Sequence, residues 1–347
     1  MNNIRVDNAV DRLQSRKKRS YLSRFFKSVL LKKMQNIDYG QIHVQDGEEV
    51  FHFGHPDSKL IVKVQINSPE FYVMIGSDGL LGAAEAYSNG LWSADDLVIL
   101  IRIIIRNSDV MGKLESGWSN LMKPINSIIH LKRKNSLAGS KKNILAHYDL
   151  SNEFYKLWLD ETMTYSCGIF EKDTTSMKDA SIEKLDRICR KLSIQEKDSV
   201  LEIGTGWGSF AIHAAKNYHC HITTTTISDA QYKYVKEKIE SSGLTDKITL
   251  LKTDYRKLEG KYDKIVSIEM IEAVGHEYVP LYFKKVSSLL KDEGLFGIQG
   301  ITYNDQQFDV YKNSVDLIKK YIFPGSCLIS ISQITDVMKK NTDPLKS

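Results

Sequence analysis

Sixteen residues, VLEIGTGWGSFAIHAA over Val200–Ala215, constrain this chain more than any other stretch. The apolar run Val200–Ile203 reads as a buried strand, and Phe210 opens a helical pattern. Between them lies Gly204-Thr205-Gly206-Trp207-Gly208. Glycines at these places let the backbone turn tightly, admit a ligand close to the main chain, and aim a helix N-terminus at it. The stretch thus predicts a strand, a glycine turn and a helix that hold a nucleotide-like cofactor.

Downstream, apolar runs and helical patterns alternate. The spacing predicts strands at Ser199–Gly204, His221–Ile227, Ile248–Asp254, Tyr262–Met270 and Gly294–Thr302. Helices are expected near 208–217, 228–242, 277–291 and 307–321, after one at 176–192 whose apolar positions are Met177, Ala180, Leu185, Ile188 and Leu192. Alternation of this kind makes a doubly wound α/β, Rossmann-like parallel sheet, whose ligands bind at the carboxyl ends of the strands.

Upstream the period is different. Ile42 and Val44; Val50, Phe51 and Phe53; Leu60, Val62, Val64 and Ile66; and Phe71, Val73 and Ile75 cluster between turn signals, predicting four short antiparallel strands. A helix is expected from Ser93, capped with help from Asp95 and Asp96, and its run Leu97–Ile105 reads as a core helix, too short and too charged at Arg102 to span a bilayer. The resulting organisation is a basic amphipathic segment (1–34), a small α+β domain (35–118), a basic linker (119–146) and the α/β domain (147–347).

Charge is where composition matters. Residues 1–33 hold ten Lys/Arg against Asp7 and Asp11, although the chain's formal net charge is only +5. Ser119–Tyr148 holds six Lys/Arg and no carboxylate. Such segments are either solvated tails or a surface for a polyanion, membrane or nucleic acid. Leu22, Phe25, Phe26, Val29 and Leu30 recur at helical spacing among Arg24, Lys27, Lys32 and Lys33, as in a helix lying on an anionic membrane surface; the alternative is a helix packed on the body of the protein. Cys167, Cys189, Cys220 and Cys327 form no CxxC pair, so neither a zinc site nor a disulfide framework is expected, and a reducing, cytoplasmic setting fits. No signal peptide is evident.

The glycine turn alone fits NAD or S-adenosylmethionine. An NAD site wants G-x-G-x-x-G and a carboxylate ending the second strand for the ribose. Here the spacing is G-x-G-x-G, and the second strand ends Thr224-Thr225-Thr226-Ile227-Ser228. Asp254 can accept from an adenine amine and Tyr255 can stack on its ring. Acidic and polar groups at strand ends favour a cationic cofactor over a pyrophosphate. The polar, aromatic loop Tyr165-Ser166-Cys167-Gly168 is a lid candidate.

Together, HYDLSNEFYKLWLDETMTYSCGIF (147–170), VLEIGTGWGSFAIHAA, TTISDAQ (225–231), IEMIEAVG (268–275) and YIFPGSCL (321–328) resemble the cyclopropane-fatty-acyl-phospholipid synthase family, along with the GLLGAAEAYSNGLW segment of the small domain. The resemblance spans nearly the whole chain. It implies a class I methyltransferase-type sheet and transfer of a methyl group from S-adenosylmethionine to the cis double bond of phospholipid acyl chains at the inner face of a membrane. The alkene attacks the sulfonium methyl, and loss of a proton from the new methyl closes a cyclopropane, with bicarbonate as base. It also assigns residues. Tyr165 and Ser166 match the cofactor loop; Gly204, Gly206 and Gly208 match the turn; Thr226 and Gln231 match polar contacts replacing the ribose carboxylate. Tyr255 and Arg256 lie on the adenine side. Cys167, Glu272, Gln299 and Ile301 fall at the bicarbonate position. A Glu beside that anion needs a raised pKa. Read without the resemblance, Cys167 is a small buried hydrophobe, and Glu272 is either a helix cap or a site residue. His147, Tyr148 and Asp149 read as structural.

Two departures stand out. Gln299 replaces the His of many bacterial members and cannot titrate. The IEMIEAVG and GIQGIT wording is nearer a branch that includes enzymes making 10-methyl or 10-methylene acyl chains. The family's fold also adds two strands after the helix SISQITDVMKK (330–340), with an aromatic segment that supplies a Tyr; here NTDPLKS follows. The chain therefore reads as truncated, with an unpaired apolar edge at Leu295–Ile301 that predicts marginal stability or a homodimer, and cofactor binding that outlasts catalysis. No N-P-P-Y-type motif follows the fourth strand, so no nucleic-acid substrate is expected.

Overall fold

The computed structural model describes residues 21–108 and 151–342. Residues 1–20, the linker 119–146 and His147, Tyr148 and Asp149 lie outside the described residues. The chain divides into two compact units, Met1–Ile128 and Ile129–Ser347.

In the first unit, helix α1 (21–34) precedes β1 (Gln41–Asp46), β2 (Glu49–Gly54) and β3 (Ile61–Ile66). A two-residue turn joins β1 to β2, with Gly47 at φ 61 in its first central position, a conformation that favours glycine. The sheet order is β2-β1-β3-β4, with β4 at Trp92–Ala94. It is not antiparallel throughout, because β1 and β3 are parallel. The hairpin has already returned the chain to the start of β1, so the loop at 55–60 skips one strand without a long crossover. Ile42, Val44, Val62 and Val64 share the buried face.

The expected fourth strand at Phe71–Ile75 is instead the start of helix α2 (Glu70–Ser88). Pro69, at φ −62, pre-sets helical geometry, and the helix buries the consecutive rings of Phe71 and Tyr72. Helix α3 (Leu97–Arg106) begins later than expected, because Ser93 lies in β4. Asp96 caps it, accepting from the Ile99 N–H, while Asp95 accepts from the Lys63 N–H. The core-helix reading of α3 holds for one face only. Leu100 and Ile103 are buried, whereas Val98, Ile101 and Ile105 are 58%, 52% and 64% exposed. Helix α1 divides likewise: Phe26, Leu30 and Met34 are buried, whereas Tyr21, Leu22, Phe25 and Val29 are exposed.

The second unit opens with α4 (Asn152–Lys156) and α5 (Met177–Lys191). Ser176 caps α5, and Met177, expected on its apolar face, is exposed. Then follow β5 (Ser199–Ile203), α6 (Ser209–Tyr218), β6 (His221–Thr225), α7 (Asp229–Ser241), β7 (Ile248–Leu251), β8 (Tyr262–Ile268), α8 (Val279–Leu289) and β9 (Leu290–Gln299). All five strands are parallel, in the order β7-β6-β5-β8-β9. This is a doubly wound α/β sheet. The chain reverses direction across the sheet between β5 and β8, and their carboxyl ends flank the switch point. Val200, Leu201 and Ile203 are each at most 1% exposed, as expected for a central strand covered on both faces.

The helix expected at 307–321 is broken. Helix α9 (Phe308–Lys312) stops, and a π-helical turn at Ile318–Ile322 follows. The buried Lys319 ammonium donates to the Tyr311 and Ser314 carbonyls at 2.6 and 3.1 Å, capturing acceptors that a continuous helix needs. Helix α10 (Ile331–Asn341), capped by Ser330, packs on α8. Strand β9 is the outer strand of the sheet, and Leu295 on it and Ile301 just beyond its end are exposed.

Candidate active site

The glycine turn leaves β5 with Gly204, Gly206 and Gly208 at φ 100, 53 and 83, values that L side chains rarely adopt. A Cβ on Gly204 or Gly208 would come within 3.0 Å of Met270 or Val235, whereas one on Gly206 would meet no described atom within 4 Å. The turn is anchored to β6, because the N–H groups of Gly204 and Thr205 both donate to the Thr225 carbonyl. Beneath it, the Thr205 and Thr224 hydroxyls are 2.6 Å apart, and Thr224 donates to Glu202 at 2.6 Å. Burial pushes Glu202 up to about 8.

At the end of β6, Thr226 donates to the buried Gln231 Oε1 at 2.8 Å. Asp229, the first carboxylate after this strand, is paired with Lys252. After β7, Asp254 accepts from the Arg256 backbone N–H (3.0 Å), Nε (2.8 Å) and Nη2 (2.6 Å), and Arg256 holds its carboxyl below the usual range. The acceptor capacity expected for an adenine amine is thus shared with Arg256. Tyr255 sits edge-on to Tyr282 at 5.2 Å.

The Tyr165 loop carries an aromatic cluster. The Tyr165 ring lies 5.2–6.4 Å from those of Tyr155, Trp158, Trp207 and Phe323. Ser166 Oγ accepts from the Lys184 ammonium at 2.5 Å. The Cys167 N–H donates to Glu269 Oε1 at 2.9 Å, and Gln299 Nε2 donates to the same oxygen at 2.9 Å and lies 3.3 Å from Cys167 Sγ. Cys167 is exposed, so it is not a small core hydrophobe. Partial desolvation of its sulfur, despite that exposure, and the Glu269 carboxylate push the thiol up.

Glu272 does not cap the following helix. Its Oε1 accepts from the Ile301 N–H at 2.5 Å, and its Oε2 is buried without a partner among the described residues. Burial pushes it up to about 7, the direction expected. The structure therefore gathers Cys167, Glu272, Gln299 and Ile301 at the ends of β8 and β9, as two pairs: Cys167 and Gln299 on Glu269, and Ile301 on Glu272.

Sequence reasoning missed two residues of this cluster. Glu269 lies three residues before Glu272 in the same motif, and only the later carboxylate received a role. Lys184 is 1% exposed, four residues from both Ala180 and Ile188 on the apolar stripe of α5. A lysine at that phase is the signal that could have found it.

The family model described as mycolic acid cyclopropane synthetase matches residues 135–344. The chain belongs to the mycolic acid cyclopropane synthetase family. It is 34% identical over 273 residues to the cyclopropane-fatty-acyl-phospholipid synthase of Escherichia coli K12, covering 78% of this chain and 68% of the relative. It is 34% identical over 276 residues to tuberculostearic acid methyltransferase UfaA1 of Mycobacterium tuberculosis, covering 77% of this chain but 64% of that protein. It spans 49% of a probable fatty acid methyltransferase of Pseudomonas putida, to which it is 38% identical over 54% of its own length. Among solved structures, the mycolic acid cyclopropane synthase CmaA1 complexed with SAH and CTAB superposes with a TM-score of 0.55 at 29% identity, covering 60% of this chain and 76% of that one.

Proposed function

We propose that this family member transfers a methyl group from S-adenosylmethionine to the cis double bond of unsaturated phospholipid acyl chains, forming cyclopropane fatty acids. The observation that carries the reading is one convergence. A glycine turn, an aromatic loop and a carboxylate cluster meet at the switch point of a sheet whose solved relative CmaA1 is complexed with SAH and CTAB, a single-chain amphiphile.

The residues present fit S-adenosylmethionine. The turn is open at Gly206, so a cofactor can approach its backbone. Gln231 and Thr226 offer neutral polar contacts where a dinucleotide site would carry a carboxylate. The Tyr165, Trp158 and Phe323 rings suit a sulfonium beside an acyl chain and exclude water. Bound there, the cofactor supplies an electrophilic methyl. Lys184 donates to Ser166, which leaves the Ser166 hydroxyl proton available to a carboxylate such as that of the cofactor's amino-acid end.

Among the described residues no helix is long and apolar enough to cross a membrane. The exposed Tyr21, Leu22, Phe25 and Val29, beside Arg24 and Lys32, supply an apolar and basic face on α1 for an anionic bilayer surface, approached from the cytoplasmic side.

A second reading yields a methyl- or methylene-branched chain. It is favoured by Gln299, which cannot titrate, and by the two relatives named as methyltransferases. The test incubates the chain with labelled S-adenosylmethionine and vesicles of cis-unsaturated phospholipid, then identifies the acyl product by mass spectrometry. A cyclopropane supports the first reading and a branch the second. Binding without product marks a cofactor- and lipid-binding protein, and no cofactor binding refutes both enzymatic readings.

A further inference from the structure

Bicarbonate, the base implied by the resemblance, does not fit the site this chain builds. An anion held between Cys167, Gln299, Ile301 and Glu272 would need their N–H donors. The Cys167 N–H and the Gln299 amide both donate to Glu269 Oε1, at 2.9 Å each. The Ile301 N–H donates to Glu272 Oε1 at 2.5 Å. The remaining member, Glu272, offers only one carboxyl oxygen without a partner among the described residues, and an anion there would still face the like charge of the Glu269 carboxylate.

We infer that the Glu269 carboxylate occupies the anion position itself and is the base that completes the reaction. The backbone supports this placement. Glu269 follows β8 in the left-handed region, at φ 47, where a residue other than glycine is strained by about 1 kcal/mol or more. Its N–H donates to the Gln299 carbonyl at 2.8 Å while its side chain accepts from the Gln299 amide, so both halves of one residue on β9 grip it. The carboxylate is thereby aimed back at the Tyr165–Cys167 loop rather than along the strand. Gln299 then has a function that needs no titration: it orients the base.

The inference rests on the methyl-transfer reading above. In that reaction the alkene pair forms a C–C bond to the transferred carbon as its bond to sulfur breaks, leaving a carbocation at the other former alkene carbon of the acyl chain. Glu269 accepts a proton from the transferred carbon. The released C–H pair closes the third ring bond, or forms an exocyclic double bond after a hydride shift. The proton leaves Glu269 to solvent after product departs, so the cycle requires no bicarbonate.

The test measures turnover by the full chain on vesicles of cis-unsaturated phosphatidylglycerol and phosphatidylethanolamine, in carbon-dioxide-free buffer and with added bicarbonate. SAH binding is measured by calorimetry on the same samples. Wild-type turnover is expected to be the same in both buffers. Glu269→Gln, which keeps the size and one acceptor of the side chain, is expected to lose at least about a hundredfold in kcat while binding SAH within about threefold of wild type. A wild-type rate that falls tenfold or more without bicarbonate overturns the inference, and so does a Glu269→Gln chain that keeps a tenth of kcat. Should the variant fail to fold, the wild-type comparison decides alone. Absence of any product from the wild-type chain in both buffers refutes the methyl-transfer reading instead.

Discussion

The Lys184 ammonium donates to the Ser166 hydroxyl at 2.5 Å, from a helix position that is 1% exposed. Burial lowers the pKa of Lys184, and Glu269, Cys167, Glu202 and Asp160 act against that. Lys184→Met removes the cation but also its desolvation cost, and Glu202, raised to about 8, already holds its proton at neutral pH and is not left as a bare buried charge. The expected result is therefore asymmetric. Thermal unfolding moves by only a few degrees, while the KM for S-adenosylmethionine rises about tenfold because Ser166 no longer has a fixed donor direction. Saturation kinetics alongside calorimetric unfolding check it; a merely structural lysine would lower the melting temperature and leave KM alone.

Glu272 makes stability depend on pH in a defined window. Its ordinary value of 4.5 is raised to about 7 in the fold. Below 4.5 both folded and unfolded chains hold the proton. Between 4.5 and about 7 the folded chain keeps a proton that the unfolded chain releases, so stability falls as pH rises. The full shift corresponds to about 3 kcal/mol. Glu272→Gln preserves the acceptor for the Ile301 N–H and removes the titration. Urea unfolding at pH 5 and pH 8 should show a loss in wild type that exceeds the loss in the variant by about that amount. The comparison cancels Glu202, which titrates in the same direction in both chains.

The parallel sheet was legible because its strands are covered on both faces and its turn needs glycine. Val200–Ile203 could hardly be anything else once Gly204, Gly206 and Gly208 followed. The small unit was read less well. Phe71, Val73 and Ile75 have strand spacing, but Pro69 and the adjacent rings of Phe71 and Tyr72 favour a helix, so a period of two arose by chance. The break at Lys319 depends on an ammonium finding two carbonyls through the fold, which no local pattern encodes. At the site, the motif located the right neighbourhood, while the partner of Cys167 and Gln299 depended on a left-handed backbone at Glu269 that the letters do not reveal.

The three glycines of the turn separate folding from binding. Gly206→Ala places a Cβ where no described atom lies within 4 Å, so its cost is conformational, about 1–2 kcal/mol at φ 53. Gly208→Ala adds a contact of 3.0 Å with Val235 to a similar backbone cost and should destabilise more. Affinity for SAH should show the reverse order: a tenfold or greater loss in Gly206→Ala, whose methyl intrudes on the approach to the turn, and a smaller loss in Gly208→Ala. Chemical unfolding and calorimetric titration of both variants check the ordering.

Adjacent phenylalanines on α1 have opposite expected roles. Phe26 is 8% exposed, and its ring would lie 2.2 Å from a Cβ on Gly76, so it fills the core of the small unit against α2. Phe26→Ala should cost about 3–5 kcal/mol, as large aromatic deletions do in packed cores. Phe25 is 49% exposed, and Phe25→Ser should leave stability within about 0.5 kcal/mol. If the exposed face of α1 meets the bilayer, Phe25→Ser combined with Leu22→Ser and Val29→Ser should weaken sedimentation with anionic phosphatidylglycerol vesicles several-fold. Added salt should weaken it further, through Arg24 and Lys32, in the wild-type chain. Unchanged vesicle binding by a triple variant that unfolds normally would assign the exposed face another role and leave α1 to packing alone.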